Sequence, residues 1–336
     1  MRVSGEGRGV TLREVAKAAG LSVSAVSYAL RGAPNIPAET IERVRAVAER
    51  LGYRPNARVG ELMAHIRLAR PLAKAEPLAF VFLDGAREDS ERMGFAKQVE
   101  RAARAHAERR GYRLDSFSLA GVGNNARRLA DILTARGIGG VLFAPTASRG
   151  RVEVAWPWDE FASAIVGMSE LNVSPPRAGH HHYEAMRMAI ARLEAAGARR
   201  PAAVIDARTN ERAHRGWQAA WLAFGPRGAA KRLWLQNDEP EAERAAWLEA
   251  MAPDALVADN GLALRLALAR LPALTRERCA TLSWTGDGEF AGIDQDYDEI
   301  AAHAVDLVVT QLQRNERGLP SPPPMLLFPG RWREAK

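Results

Sequence analysis

A tight helical hairpin between residues 10 and 30 constrains the fold of this chain more than any other segment. Thr11, followed three residues later by Glu14, forms a capping box that predicts a helix start. Gly20 tolerates the left-handed backbone that ends a helix in a sharp turn, and Ser22 suits the cap of a second helix. The second helix, over residues 23–30, must therefore pack closely against the first.

The apolar positions around this hairpin predict a compact three-helix head. Ala16 is small enough for the second helix to cross the first closely, and Pro37 suits the start of a third helix that ends at Gly52. Two helices joined by such a turn are typical of helix-turn-helix DNA-binding motifs. The alternative is a helical hairpin with a structural role only. The apolar stripe of the third helix consists of Ile41, Val44, Val47, Ala48 and Leu51.

The positive charge is concentrated at the same end of the chain. Residues 1–70 hold 12 Lys and Arg against 6 Asp and Glu, whereas the other 266 residues hold 35 against 34, within a formal net charge of +7. A basic end on a nearly neutral body indicates contact with a polyanion such as nucleic acid. A solvated basic surface is the alternative.

The whole-chain composition predicts a cytoplasmic protein of two or three globular units. The chain has 336 residues and is 47% hydrophobic. Its apolar runs are far shorter than the roughly 18–20 residues that span a bilayer, and the N-terminus shows no apolar secretory segment. A single cysteine, Cys279, excludes an intramolecular disulfide.

Beyond residue 77 the pattern changes to strand-like apolar runs that alternate with amphipathic helical stretches. This alternation predicts an α/β body of parallel sheets covered by helices. The expected strands are 78–83, 113–119, 140–145, 164–168, 202–205, 232–235, 255–258 and 281–284, and the expected helices include 95–110, 126–135, 183–196, 215–223 and 241–251.

The stretches VTLREVAKAAGLSVSAVSYALRG and IPAETIERVRAVAERLGYRPNA strongly resemble the DNA-binding head of the LacI/GalR family of bacterial transcription regulators. The resemblance implies an all-α head over residues 1–57, a hinge helix and linker over 58–76, and an effector-binding and dimerisation body over 77–333. That body would have the two lobes of a periplasmic binding protein. Crossings near Gly167, Gly288 and Gly318 would place about 77–167 and 289–317 in the first lobe, and about 168–288 and 318–333 in the second.

The resemblance assigns DNA-contacting roles within the head and hinge. The second helix would lie in the major groove, and Tyr28 departs from the Arg that many relatives carry there; its alternative role is packing on the head's own surface. Leu62 would wedge into the minor groove from a hinge helix that orders on DNA, unless the segment is a plain linker helix. The base-reading candidates are Val23, Ser24 and Tyr28; the phosphate candidates are Thr11, Ser22, Ser27 and Asn35; Tyr53 and Asn56 complete the predicted DNA-contacting set.

The body resemblance is looser, and its effector-contact candidates share one alternative, a purely structural role. Arg212 lies one residue from the family's ligand-binding Arg, while Asn260 and His181 stand roughly where relatives carry Asp. Asp84 and Asp287 follow strand ends, and Trp217 and Trp284 offer rings for stacking. The run of three histidines at 180–182 also leaves open a metal site or a solvated loop.

These observations predict a sequence-specific DNA-binding regulator, expected to be a repressor, that is not an enzyme and needs no cofactor or membrane. Its partners would be a palindromic double-stranded DNA operator, a second copy of the chain in a homodimer, and a small-molecule effector, expected to be a sugar or sugar derivative. A regulator that has lost effector sensing, a solute-binding protein, and an enzyme built on the body are the alternatives. No common hydrolase, phosphate-loop or dinucleotide-binding motif supports the enzyme.

Overall fold

A computed structural model describes residues 10–30, 36–53, 75–83, 90–146, 150–286 and 288–336. The chain divides into two compact units, the head unit (residues 1–74) and the body (residues 75–336). Five predicted site residues lie outside the described residues, namely Asn35, Asn56, Leu62, Asp84 and Asp287.

The head contains three short helices, α1 (Leu12–Ala19), α2 (Val23–Leu30) and α3 (Ala38–Arg50). The predicted capping box is present, because Thr11 N donates to Glu14 Oε2 at 2.7 Å and Glu14 N donates to Thr11 Oγ1 at 3.4 Å. Gly20 has φ 65°, the left-handed conformation that lets the chain turn directly into α2. Local capping signals therefore set the bounds of this hairpin.

A small apolar core holds the three head helices together. Val26 and Ala29 of α2 are fully buried against α1 and α3. Half-buried side chains surround this core, including Leu21 after the turn and Tyr53 after α3. The buried members are Val15, Ala16, Val26, Ala29, Val44, Val47 and Ala48.

The body is built on two six-stranded sheets, which confirms the predicted α/β class. The first sheet has the order β11-β5-β4-β3-β1-β2 and is parallel; the second has the order β12-β10-β9-β8-β6-β7 and is parallel except for β12 against β10. The first-sheet strands are β1 (Glu76–Phe82), β2 (Tyr112–Ser118), β3 (Gly140–Phe143), β4 (Ala162–Val166), β5 (Arg177–His180) and β11 (Met325–Phe328). The second-sheet strands are β6 (Pro201–Asp206), β7 (Leu233–Gln236), β8 (Ala255–Ala258), β9 (Cys279–Thr281), β10 (Ala291–Asp294) and β12 (Arg331–Arg333).

Helices cover both faces of each sheet and bury its apolar side chains. On the first sheet, α4 and α11 pack against one face and α5 against the other. On the second sheet, α6 and α8 cover one face, and α9 and α10 the other. The body helices are α4 (Ser90–Arg109), α5 (Ala126–Ala135), α6 (His182–Ala195), α7 (Ala207–Arg212), α8 (Gly216–Phe224), α9 (Glu241–Met251), α10 (Gly261–Arg270) and α11 (Tyr297–Gln313).

The chain passes between the two sheets later in the sequence than the expected crossings near Gly167, Gly288 and Gly318. Strands β5 and β11 belong to the first sheet and β10 to the second, so the passages follow residues 180, 294 and 328. The three glycines have φ values of 87°, 72° and 87°, which makes them turn positions. The expected boundary was wrong because strands of three or four residues carry little periodic signal.

Candidate nucleic-acid interface and candidate effector cleft

One face of α2 is open to solvent although the opposite face is in the core. The side chains of Val23 and Tyr28 are 40% and 46% exposed. Val26, which lies between them in the sequence, and Ala29, which follows Tyr28, are fully buried. The main chain of Ser24 belongs to the same helix. This arrangement leaves Val23 and Tyr28 available to base edges in a major groove, as a recognition helix requires.

The predicted phosphate-contacting side chains stand at the starts of α1 and α2. The Thr11 hydroxyl donates to Glu14 Oε2 at 2.8 Å, and Ser22 Oγ accepts from Ala25 N at 3.2 Å. Both residues are exposed. Because helix N-termini carry free N–H groups, they suit phosphate oxygens. Ser27 and Tyr53 are half-buried, and Tyr53 packs against the head core.

A second candidate site is a cleft of about 310 Å³ within the body, hereafter the cleft cavity. It opens beyond the carboxyl ends of strands from both sheets. Segment 166–169 follows β4, whereas Ser283 follows β9 and Gln295 follows β10. In open α/β sheets this edge is where ligands bind, because the loops from neighbouring strands converge there.

Three aromatic rings form one wall of the cleft cavity. His180 and His182 meet edge to face with ring centroids 4.9 Å apart, and His182 meets Trp217 in the same way at 4.9 Å. Trp217 Nε1 is buried without a hydrogen-bond partner among the described residues. A ligand that accepts from this N–H would offset the cost of burying it.

Burial keeps the His180 ring neutral. It lowers the pKa of His180 to about 4, and the nearby Phe328 carbonyl offsets only part of that effect. Burial also holds the pKa of His182 well below its usual value, with the neighbouring His180 adding to the effect. The wall therefore carries no charge near neutral pH.

A hydrogen-bonded group of polar side chains forms another part of the cavity lining. Gln295 Nε2 donates to the Leu282 carbonyl at 2.9 Å and to Ser283 Oγ at 3.0 Å. The Tyr297 hydroxyl donates to Gln295 Oε1, and burial raises the pKa of Tyr297. Tyr297 is therefore protonated near neutral pH, and its proton is directed at the Gln295 amide oxygen.

Arg212 brings a positive charge to the cleft cavity. Its guanidinium donates to Thr209 Oγ1 at 3.1 Å, and Thr209 Oγ1 in turn donates to Asp206 Oδ1 at 2.7 Å. Within the described ranges, no Asp or Glu lines the cavity and Arg212 makes no ion pair. The described lining therefore favours a ligand with a negative charge or strong acceptors.

Two of the predicted effector contacts, Arg212 and Trp217, are brought together in the cleft cavity. His181, the histidine predicted as an effector contact, is not part of the described cavity lining. His181 caps α6, its Nδ1 accepting from Glu184 N at 3.3 Å, while its neighbours His180 and His182 line the cavity. Alternate residues of an extended segment point to the same side. The sequence could therefore have placed His180 and His182 on one side and His181 on the other.

Asn260 and Trp284 also lie away from the described cavity lining. The Asn260 side chain caps α10 by accepting from Ala263 N at 2.9 Å. The Trp284 ring is covered by the Arg333 guanidinium, 5.8 Å from the ring centroid. Gln295 and Tyr297, which line the cavity, were not predicted, because they follow β10, a strand that the sequence pattern does not indicate.

The metal site considered for the three histidines finds no support among the described residues. Nowhere in the described ranges do three His, Cys, Asp or Glu side chains gather closely enough to hold a metal ion. His180 and His182 instead contact each other as neutral rings, and His181 is occupied as a helix cap.

A His180→Leu variant is expected to lose less stability than the unchanged protein as the pH falls from 6.5 to 4. When the pKa of a histidine is lower in the folded protein than in the unfolded chain, the unfolded chain binds the proton first as the pH falls. Acid therefore stabilises the unfolded state and lowers the free energy of unfolding. The difference between pKa 6.5 and about 4 corresponds to roughly 3 kcal/mol at pH 4. Urea unfolding of both proteins at a series of pH values measures this difference in the free energy of unfolding.

The comparison with the unchanged protein is needed because a second buried group opposes this effect. Burial raises the pKa of Asp259 to about 6, so the folded protein binds this proton before the unfolded chain does. The protein therefore gains stability from Asp259 as the pH falls through 6. Measurements at pH 8, where His180 does not titrate, serve as the reference. Identical pH profiles for both proteins would show that His180 titrates normally and is not desolvated.

Comparison with known proteins decides the nature of the head. Residues 11–56 match the model of the family described as bacterial regulatory proteins, lacI family. The match covers all three helices and the capping box of the head. No curated protein sequence matches this chain.

Several solved structures of transcription regulators are similar in fold to most or nearly all of this chain. The transcriptional regulator CelR in complex with cellobiose has 19% identity and a TM-score of 0.54, covering 97% of this chain and 100% of its own. The Lac repressor bound to ONPG in the repressed state has 18% identity and a TM-score of 0.52, covering 97% and 99%. A putative lacI-family regulator from Rhizobium etli has 12% identity and a TM-score of 0.59, covering 78% and 98%.

These similarities establish the fold, a helix-turn-helix head followed by a two-lobed α/β body, as predicted. The matched solved structures are those of transcription regulators. In the described part of the chain, no helix has both the length and the apolar character needed to cross a bilayer.

Proposed function

We propose that this chain is a transcriptional repressor that binds a palindromic operator as a homodimer. The observation that supports this most directly is the lacI-family head, in which α2 keeps Val23 and Tyr28 exposed while its other face forms the core. Two heads in a symmetric dimer would reach two half-sites about one helical turn apart. The basic excess of residues 1–70 supports binding to the phosphate backbone.

The body would sense a small molecule and control the affinity of the head for DNA. The cleft cavity lies at the carboxyl ends of strands from both sheets, and the chain passes between the sheets three times close to it. An effector in that position would favour one arrangement of the lobes over another, which is how a ligand changes a distant affinity. The similar regulator CelR carries cellobiose and the Lac repressor carries ONPG, so a sugar or glycoside is one effector class.

Selection from fragmented genomic DNA tests the proposal. Purified full-length protein should recover one short palindrome at about physiological salt, and its affinity should fall steeply as salt rises because phosphate contacts release counterions. Uniform recovery of all fragments, or affinity that salt does not change, would contradict sequence-specific operator binding.

Tyr28→Ala should weaken binding to the recovered operator by roughly 1–3 kcal/mol, because the exposed side chain is placed to read a base edge. Binding to unrelated DNA should change little, since phosphate contacts carry most of that affinity. Titration of both DNAs by fluorescence anisotropy separates the two effects. Equal losses on both DNAs would assign Tyr28 to general affinity or to folding of the head.

A further inference from the structure

The cleft cavity combines a single positive charge with a mainly apolar described lining, and this combination narrows the class of effector. The inference rests on the proposed function, because it assumes that the cleft cavity binds the effector. Arg212 supplies the charge, and no carboxylate lines the cavity in the ranges that the structure covers. His180 and His182 add no charge, since burial keeps both rings neutral.

Several polar oxygens of the described lining are already engaged within the protein. The Gln295 amide oxygen accepts from Tyr297. The Thr209 hydroxyl both accepts from Arg212 and donates to Asp206, and Ser169 Oγ accepts from Thr146 N at 2.9 Å. The neutral rings of His180 and His182 each keep one acceptor nitrogen for a ligand hydroxyl. The feature that separates an anion from a neutral polyol is therefore Arg212, which offers an anion a charged partner.

The apolar part of the lining is suited to a flat apolar body. The rings of His182 and Trp217 stand edge to face, and Trp217 is almost fully buried, so the position of this wall is well defined. Aromatic ligands gain both buried area and favourable ring contacts on such a wall. The apolar lining residues are Ala96, Pro145, Val166, Met168, Ala213, Trp217 and Ile300.

We propose that the effector is a small aromatic carboxylate, with its carboxylate paired to Arg212 and its ring against the wall formed by His180, His182 and Trp217. The guanidinium is suited to this role because its planar fork can donate two parallel hydrogen bonds to one carboxylate. The cavity of about 310 Å³ limits the ligand to a small molecule.

Calorimetric titration of the full-length protein with matched acid and amide pairs tests the proposal. The probes are benzoate and benzamide, 4-hydroxybenzoate and 4-hydroxybenzamide, and phenylacetate and phenylacetamide, with glucose and glucuronate as a polyol pair. At least one aromatic acid should bind roughly tenfold or more tightly than its amide, as one charge-assisted pair requires. Arg212→Gln should remove that difference, and Arg212→Lys should keep part of it.

Arg208→Gln is the matched control, because Arg208 lies on the same helix and pairs with Asp238 away from the cavity. It should bind the acids as the unchanged protein does. Tighter binding of glucose than of every aromatic acid, preference for the amides, acid binding that survives Arg212→Gln, or no binding of any acid would overturn the proposal. Operator binding in the absence of ligand is measured on the same variants and does not depend on which effector binds. A failure of the aromatic-carboxylate proposal would therefore leave the DNA-binding proposal unaffected.

Discussion

Val26→Asp is expected to unfold the head and abolish operator binding while the body remains folded. Val26 is fully buried where α2 packs on α1 and α3, in a core of only seven buried side chains. A carboxylate placed there loses its hydration and gains no cationic partner in the core, a cost of several kcal/mol. A head of this size has little stability to lose, and the body forms a separate compact unit with its own cores.

Differential scanning calorimetry and operator binding on the same sample measure this result. The variant should lose the transition of the head, keep that of the body, and show no binding to the operator. Val23→Asp is the matched control, because it makes the same change at the exposed start of the same helix. It should keep the head folded while repelling phosphate. An intact head transition in Val26→Asp would contradict the core described here.

Trp221→Ala is expected to destabilise the body by about 3–5 kcal/mol, the usual range for a large aromatic side chain removed from a core. Trp221 is fully buried in the core between α6, α8 and the second sheet, and its Nε1 donates to the Ala229 carbonyl at 2.9 Å. The substitution therefore leaves both a cavity and an unpaired carbonyl. Urea unfolding monitored by circular dichroism should show a lower midpoint for the body transition.

Two further variants identify the source of that loss. Leu222→Ala, at the next position of the same helix, changes a side chain that is 48% exposed and should cost well under 1 kcal/mol. Trp221→Phe should cost less than Trp221→Ala, because it removes the hydrogen bond but fills most of the volume. Equal losses for Leu222→Ala and Trp221→Ala would show that α8 packs differently from the arrangement described here.

The cleft side of α8 should respond to Trp221→Ala as well. Trp217 lies one turn before Trp221 on the same helix and forms part of the ring wall of the cleft cavity. Because packed cores transmit volume changes to their neighbours, effector affinity is expected to fall together with stability. The affinity is measured without urea, where the variant is still folded, by titration with a ligand identified in the calorimetric panel.

The head could be predicted from the sequence in detail because its signals are local. The Thr11–Glu14 capping box, the left-handed Gly20 and the apolar spacing of α2 each act within one helical turn, and the helices begin and end where these residues place them. In the body, local periodicity predicted five of the helices and the parallel α/β class. Arg212 and Trp217 were both predicted as effector contacts, Arg212 from the family resemblance and Trp217 from its ring, and the structure brings both into one cavity.

Tertiary structure alone decided the lobe boundaries and most of the cleft lining. Strands β5, β10, β11 and β12 have three or four residues each and were not predicted. They become strands because neighbouring strands offer them hydrogen-bonding edges. Their placement brings His180, at the end of β5, and the next residues of the chain to the edge of the cleft cavity. The sequence determined the elements whose stability is local; contacts between distant segments determined which side chains meet in the cleft, because those contacts exist only once both sheets have formed.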